Sequence, residues 1–226
     1  MKTRSYPDHD IREIVPIPRV TPSTVLQHVQ CPPGTTAELV TRWRSMAADI
    51  ARMAGNDERG SDPARGTAYL EGETLDSACD RILRGVMVSI GVPHDFGSID
   101  RVDWETDPTE KNFEWPWQLN RHAWMLPLVV RAEAGDEAAG AALITLLRSW
   151  LRVPVPLEAD GHASRAHRTI DTGIRMAGAL PRALPWLLEH APNDVLEELL
   201  CNLMTSQLRL RWNHREGNWL TMEMNG

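Results

Sequence analysis

Lysine is nearly absent from this chain: Lys2 and Lys111 are the only two in 226 residues, so almost all of the 24 basic residues are arginine. With a formal net charge of -7 there is no general basic surface, and nucleic acid is not an expected partner. No apolar run approaches the roughly 20 residues that span a bilayer, so membrane insertion is not expected either. Met1–Arg19 holds no uninterrupted apolar stretch of the kind a secretory signal needs. A cytoplasmic protein is therefore expected, or a periplasmic or secreted one if the natural N-terminus lies further upstream. Cysteine is scarce and scattered. Cys31, Cys79 and Cys201 have no CxxC spacing, which points to free thiols in a reducing compartment rather than to a disulfide frame or a zinc site. The eight histidines form no HExxH, and GxSxG, Walker A and Rossmann glycine patterns are all missing, so neither a metal nor a cofactor is expected.

What is present is helix. Residues 1–36 carry six prolines and no sustained periodicity, and read as an irregular N-terminal arm with a short helix near Ser23–Val29. From residue 37 to 226 the chain reads as one helical domain. Leu39, Trp43, Met46, Ala47, Ile50 and Met53 recur at threes and fours, predicting an amphipathic helix over Thr36–Ala54 that stops at Gly55. A short helix follows at Thr74–Arg84, running into Gly85–Gly91, a brief strand or buried turn, and then repeated turns to Lys111. A helix from Trp117 to about Ala134 is followed by Gly135 at its stop and Asp136 as the next N-cap, with Leu143, Leu146, Leu147 and Trp150 on one face of the partner helix. A second helical unit spans Arg168–His190, broken or kinked by Pro181 and Pro185. Asp194 and Glu197 match a capping box opening a last helix that ends near His214–Gly217. Successive hairpins with hardly any strand predict an all-α array.

Eight of the nine tryptophans lie from Trp104 onward, which locates the packed or binding part. The stretch Glu114–Trp124 crowds Trp115, Trp117 and Trp124 together with Gln118, Asn120, Arg121 and His122. Unpaired polar groups inside a core cost a few kcal/mol each. Either these groups pair with neighbouring helices, or they line a ligand-facing surface that needs flat apolar faces and forked donors. Arginine's planar fork suits carboxylate or sulfate, although a codon bias produces the same excess. Arg168, Asp171, Thr172 and Arg175 fall on one helix face, as a solvated salt-bridge ladder or as part of a site. Gly217-Asn218-Trp219 could present Asn218 to a ligand or be a plain helix cap.

Three segments carry a resemblance. WPWQLNRHAWMLPL at 115–128, HRTIDTGIRMAGALPRALPW at 167–186 and GNWLTMEMNG at 217–226 are together similar to the N-terminal helical domain of the heparinase II/III-like polysaccharide lyases, over about residues 95–226. The resemblance implies an incomplete (α/α) toroid built of antiparallel helix hairpins, with a β-sandwich expected to follow it in such proteins. It implies β-elimination at uronic acid residues of an acidic polysaccharide, with Asn218 neutralising the uronate carboxylate. Gln118, Asn120, Arg121, His122, Trp124, Arg168, Arg175 and Trp219 would bind sugar.

Two departures stand beside the resemblance. Trp219 occupies the place where several relatives carry histidine, and the family's catalytic tyrosine and a further histidine lie downstream of the asparagine motif. Tyr6 and Tyr69, the only tyrosines here, lie upstream of it. The expectation is thus the N-terminal part of a lyase, inactive as this isolated chain, whose uncovered helix faces favour self-association. Two other readings remain: a non-catalytic carbohydrate-binding or scaffold protein using the same tryptophan, arginine and asparagine surface, and a hydrolase using Glu114 and Asp171 as acid and base.

Overall fold

In a computed structural model of the chain, the described residues are Thr21, 36–54, 68–110, 113–155 and 165–215, with side chains in the last helix described as far as Gln207. The expected arm, its helix near Ser23–Val29, the stop at Gly55 and the Gly217–Gly226 motif lie outside them.

The described residues are mostly helical: α1 Thr36–Ser45, α2 Ala47–Ala54, α3 Leu75–Leu83, α4 Glu114–Leu119, α5 Met125–Glu133, α6 Glu137–Leu151, α7 Thr169–Ala177, α8 Ala179–His190 and α9 Asn193–Arg215. The single sheet among them is a hairpin of β1 Val86–Ser89 and β2 Val92–Asp95, antiparallel with Ser89 opposite Val92. Its two-residue turn, Ile90 and Gly91, has both central residues at positive φ, as a type I′ turn requires. The second strand is a correction to the expectation of continuous turns after Gly91. Pro93 and the mostly exposed burial pattern of β2 masked the alternation that would have signalled it.

The central hairpin of α5 and α6 forms as the sequence predicts. Gly135 turns the chain at φ 94, and the Asp136 carboxylate caps α6 by accepting from Ala139 N at 3.0 Å. Leu128 and Val129 of α5 meet Leu143, Leu146, Leu147 and Trp150 of α6, and Leu187, Leu188, Val195, Leu196 and Leu199 of α8 and α9 close the core. Each such side chain contributes roughly 1.5–3 kcal/mol by leaving water. At Gly140 of α6 the Trp186 ring of α8 fills the space a side chain would occupy.

Three further expectations are corrected. The Thr36–Ala54 helix is broken at Met46; the Arg168–His190 unit has its expected break, placed at Gly178, with Pro181 in the first turn of α8 and Pro185 inside it. The last helix begins at Asn193, so Asp194 lies inside its first turn and takes Arg148 instead of capping. Most important for the site, no continuous helix runs from Trp117 to Ala134. The chain breaks over Asn120–Trp124, with His122 at φ 67, and restarts at Met125. Pro127 explains the restart: it has no N–H and is accommodated without loss in the first turn of a helix, which here is the first turn of α5.

Residues 36–54 are tied to this body. α2 packs on α8, and the Arg44 guanidinium donates to the carbonyls of Leu188, Glu189 (3.3 Å) and Ala191 (2.7 Å) and to Asn193 Oδ1 (2.7 Å), crowning the C-terminal end of α8. A cation there complements both the unsatisfied carbonyls and the helix dipole.

Candidate functional site

Two anchors fix the polar segment after α4. The first is the β-hairpin: Ser89 Oγ donates to the Trp115 carbonyl at 2.6 Å, and Trp115 Nε1 donates to the Val92 carbonyl at 2.9 Å. The second is Asn120. Its Nδ2 donates to the carbonyls of Trp104 (2.9 Å) and Pro116 (2.7 Å), its Oδ1 accepts from Trp150 Nε1 (3.0 Å), and its backbone carbonyl accepts from Arg175 (2.5 Å). The Trp104 loop, α4, α6 and α7 therefore meet at one residue.

Around that hub lies a buried layer. Arg175 donates also to the Ala166 carbonyl (3.2 Å) and Thr172 Oγ1 (3.0 Å), and its guanidinium lies 4.6 Å from the Trp150 ring centroid. His122 stands edge-on to Trp150, with ring centroids 4.4 Å apart, and Trp124 packs at 5.4 Å from both His122 and Trp104. Neither His122 ring nitrogen, nor Trp124 Nε1, has a hydrogen-bond partner among the described residues. Burial, with the Arg175 charge and then His167 adding to it, drives the His122 pKa well below its ordinary value, so the ring is neutral.

An outer layer is partly open to solvent. Asp171, itself fully buried, holds two arginines: Oδ1 accepts from Arg121 Nε at 2.7 Å and Oδ2 from Arg168 Nε at 2.6 Å, with Arg168 Nη2 also reaching Oδ1 at 3.2 Å. The Arg121 and Arg168 side chains keep 26% and 16% of their exposure. The Arg121 terminal NH2 groups make no hydrogen bond among the described residues, so half of its fork is free to meet a ligand. The Arg168 guanidinium lies over Trp117, 3.7 Å from its ring centroid. Two guanidiniums against one carboxylate leave a net local charge of +1, which suits a carboxylate-bearing ligand.

The residues expected to touch a ligand thus divide. Gln118, Arg121 and Arg168 are half-buried and border the outer layer, with Gln118 Nε2 donating to Glu114 Oε2 at 3.2 Å. Asn120, His122, Trp124 and Arg175 are buried in the inner one. Asn218 and Trp219 lie outside the described residues. The ladder of Arg168, Asp171, Thr172 and Arg175 is not solvated: all but Arg168 are buried. Asp171, with no exposed surface and both oxygens on guanidiniums, is an anchor and is unsuited to the acid–base role that a hydrolase reading gives it. Phe113 and Arg165 belong to the outer layer too, and their i,i+4 and i,i+3 spacings to Trp117 and Arg168 were the signal for them. Among the described residues no cluster of histidine, cysteine, aspartate and glutamate could hold a metal, and no helix is long and apolar enough to cross a membrane.

Fold and site together describe a mostly helical protein with an arginine–tryptophan surface pinned over a polar hub. Residues 69–226 match the family described as Heparinase II/III N-terminus, and the chain belongs to that family. No curated protein and no solved structure was found to match the chain. Membership makes it a relative of polysaccharide lyases and implies a polysaccharide as its substrate class.

Proposed function

We propose that the chain is the N-terminal part of a lyase that cleaves uronic-acid-containing polysaccharides by β-elimination, with its hairpins forming one arc of an (α/α) toroid. The observation that carries this reading is the Asp171 clamp, which presents Arg121 and Arg168 beside Trp117 in a chain of this family. Elimination requires that the uronate carboxylate be neutralised so that the C5 proton becomes acidic, that a base remove that proton, and that an acid protonate the departing glycosidic oxygen. We assign neutralisation to the Asn218 amide, whose donated hydrogen bond strengthens as charge builds on the carboxylate in the enolate-like transition state. Arg121 and Arg168 bind the carboxylate of a neighbouring sugar, Gln118 supports its hydroxyls, and Asn120, Arg175, His122 and Trp124 hold the segment in place. By the family resemblance, base and acid come from a tyrosine and a histidine downstream of the asparagine motif.

The test is made on the full reading frame that carries these residues. Uronate polymers should yield a product with a C4–C5 double bond, read by its ultraviolet absorbance. Asn218→Ala should lower kcat by on the order of 100-fold with KM little changed, as for loss of one transition-state donor. A saturated product, or none from any uronate polymer, sinks the lyase reading.

A second reading, a non-catalytic carbohydrate-binding protein, is favoured by the fact that the arginine–aromatic surface needs no proton-transfer group to hold a sugar. Its signature is binding of acidic glycans without product, abolished by Arg121→Ala.

A further inference from the structure

We propose that Phe113, Trp117, Arg165 and Arg168 form an additional subsite for a second acidic sugar of the same polysaccharide, continuous with the Arg121–Asp171 pair; this rests on the polysaccharide reading above. The Arg165 guanidinium lies 4.3 Å from the Phe113 ring centroid, the Arg168 guanidinium 3.7 Å from that of Trp117, and the two rings stand 6.0 Å apart at 61°. The contacts form a chain: Arg165 against Phe113, Phe113 against Trp117, Trp117 against Arg168, and Arg168 joined to Arg121 through Asp171.

Two features of Phe113 point to a ligand. It is 44% exposed, so its ring is not held there by the core. Its backbone is left-handed, at φ 59, a conformation a bulky side chain adopts only at a cost. The loop before it enforces this pose. The Asp107 carboxylate accepts from Thr109 N (3.0 Å), Thr109 Oγ1 (2.6 Å) and Phe113 N (3.3 Å). Burial works against the charge on Asp107, but the Thr109 and Phe113 hydrogen bonds and nearby Arg165 outweigh it and keep the carboxyl pKa below its ordinary value.

The charge distribution names the occupant. Arg81, Arg131, Arg148 and Arg182 each face carboxylates, whereas Arg165 forms no ion pair among the described residues and donates instead to the Glu105 carbonyl at 2.6 Å. The Glu105 carboxylate, which accepts from Arg165 N at 2.8 Å, and the nearby Asp107 flank Arg165, so the positive charge left over along the strip is the one that Arg121 and Arg168 keep in excess of Asp171. A pyranose ring stacked on Phe113, with its carboxylate on Arg165, meets both features. Single-stranded nucleic acid also stacks and pairs in this way, but the chain's acidity opposes its dense phosphate charge.

The test compares the wild-type chain with Phe113→Gly and Arg165→Gln, measuring affinity for uronate oligosaccharides of increasing length by calorimetry, alongside thermal midpoints. Phe113→Gly should weaken binding of long oligomers about tenfold, with a smaller loss for the disaccharide. Its thermal midpoint should hold or rise, because glycine relieves the left-handed backbone. Arg165→Gln should weaken binding and flatten its salt dependence. Unchanged long-oligomer affinity in Phe113→Gly, while the wild type binds, overturns the subsite and leaves the lyase reading standing. So does a loss of affinity that tracks a falling midpoint, which marks a structural role. A wild-type chain that binds no uronate oligomer, or prefers single-stranded DNA at this strip, overturns both.

Discussion

The Trp150 indole N–H donates to the Asn120 side-chain carbonyl at 3.0 Å in a fully buried setting, and through that bond helix α6 is fastened to the break between α4 and α5. With Nδ2 donating to two carbonyls as well, Asn120 joins segments that no backbone ladder connects.

Replacing Asn120 by alanine therefore leaves the Trp150 N–H and the Trp104 carbonyl without their partner, while the Pro116 carbonyl keeps the backbone N–H of residue 120. At roughly 1–3 kcal/mol for each buried group left unsatisfied, a loss of about 3 kcal/mol or more is expected. Urea unfolding checks it. A loss under about 1 kcal/mol would show that the hub is not where these elements are held.

The neutral, buried His122 predicts acid lability. Its folded pKa is depressed, so below the ordinary value of 6.5 the unfolded chain takes up a proton that the folded chain refuses. The stability is complete above that pH and falls as the pH drops through it, by about 1.4 kcal/mol per unit until the folded ring itself titrates. Unfolding free energies measured from neutral to mildly acidic pH should show this slope in the wild type. His122→Asn, which tolerates the left-handed backbone, should lose one proton's worth of it. Identical slopes would contradict the assignment.

Two glycines should resist substitution for different reasons. At Gly85, φ is 84 and an added Cβ would lie 2.4 Å from Ser98 N, so alanine is opposed by both backbone strain and a rigid neighbour. A cost above about 2 kcal/mol is expected. At Gly140 the added Cβ would meet the Trp186 ring at 2.9 Å, a side chain able to shift, and a cost of about 1–3 kcal/mol is expected. Thermal unfolding of the two variants ranks them, and the reverse order would refute the account.

Arg44→Ala should test whether residues 36–54 are integral to the body. Losing the cation that crowns α8 should cost about 1–2 kcal/mol and shift the whole unfolding transition. An unchanged transition would make α1 and α2 a loosely held appendage.

The sequence by itself determined the helices of the central hairpin and the turn between them, because Gly135 and Asp136 act through local geometry and the leucines of α6 repeat at helical spacing. It also placed the polar constellations and, through three motifs, the family. It did not place the break at Asn120–Trp124, although Pro127 carried that information: a proline can open a helix as readily as interrupt one, and only the neighbours decide which. Nor did it separate the arginines. Arg121, Arg168 and Arg175 look alike in one dimension, yet Arg175 is sealed against Trp150 while Arg121 and Arg168 reach outward from a shared carboxylate. Burial and pairing are set by residues about 50 positions apart in the chain, such as Arg121 and Asp171. That distance is closed only when the helices pack.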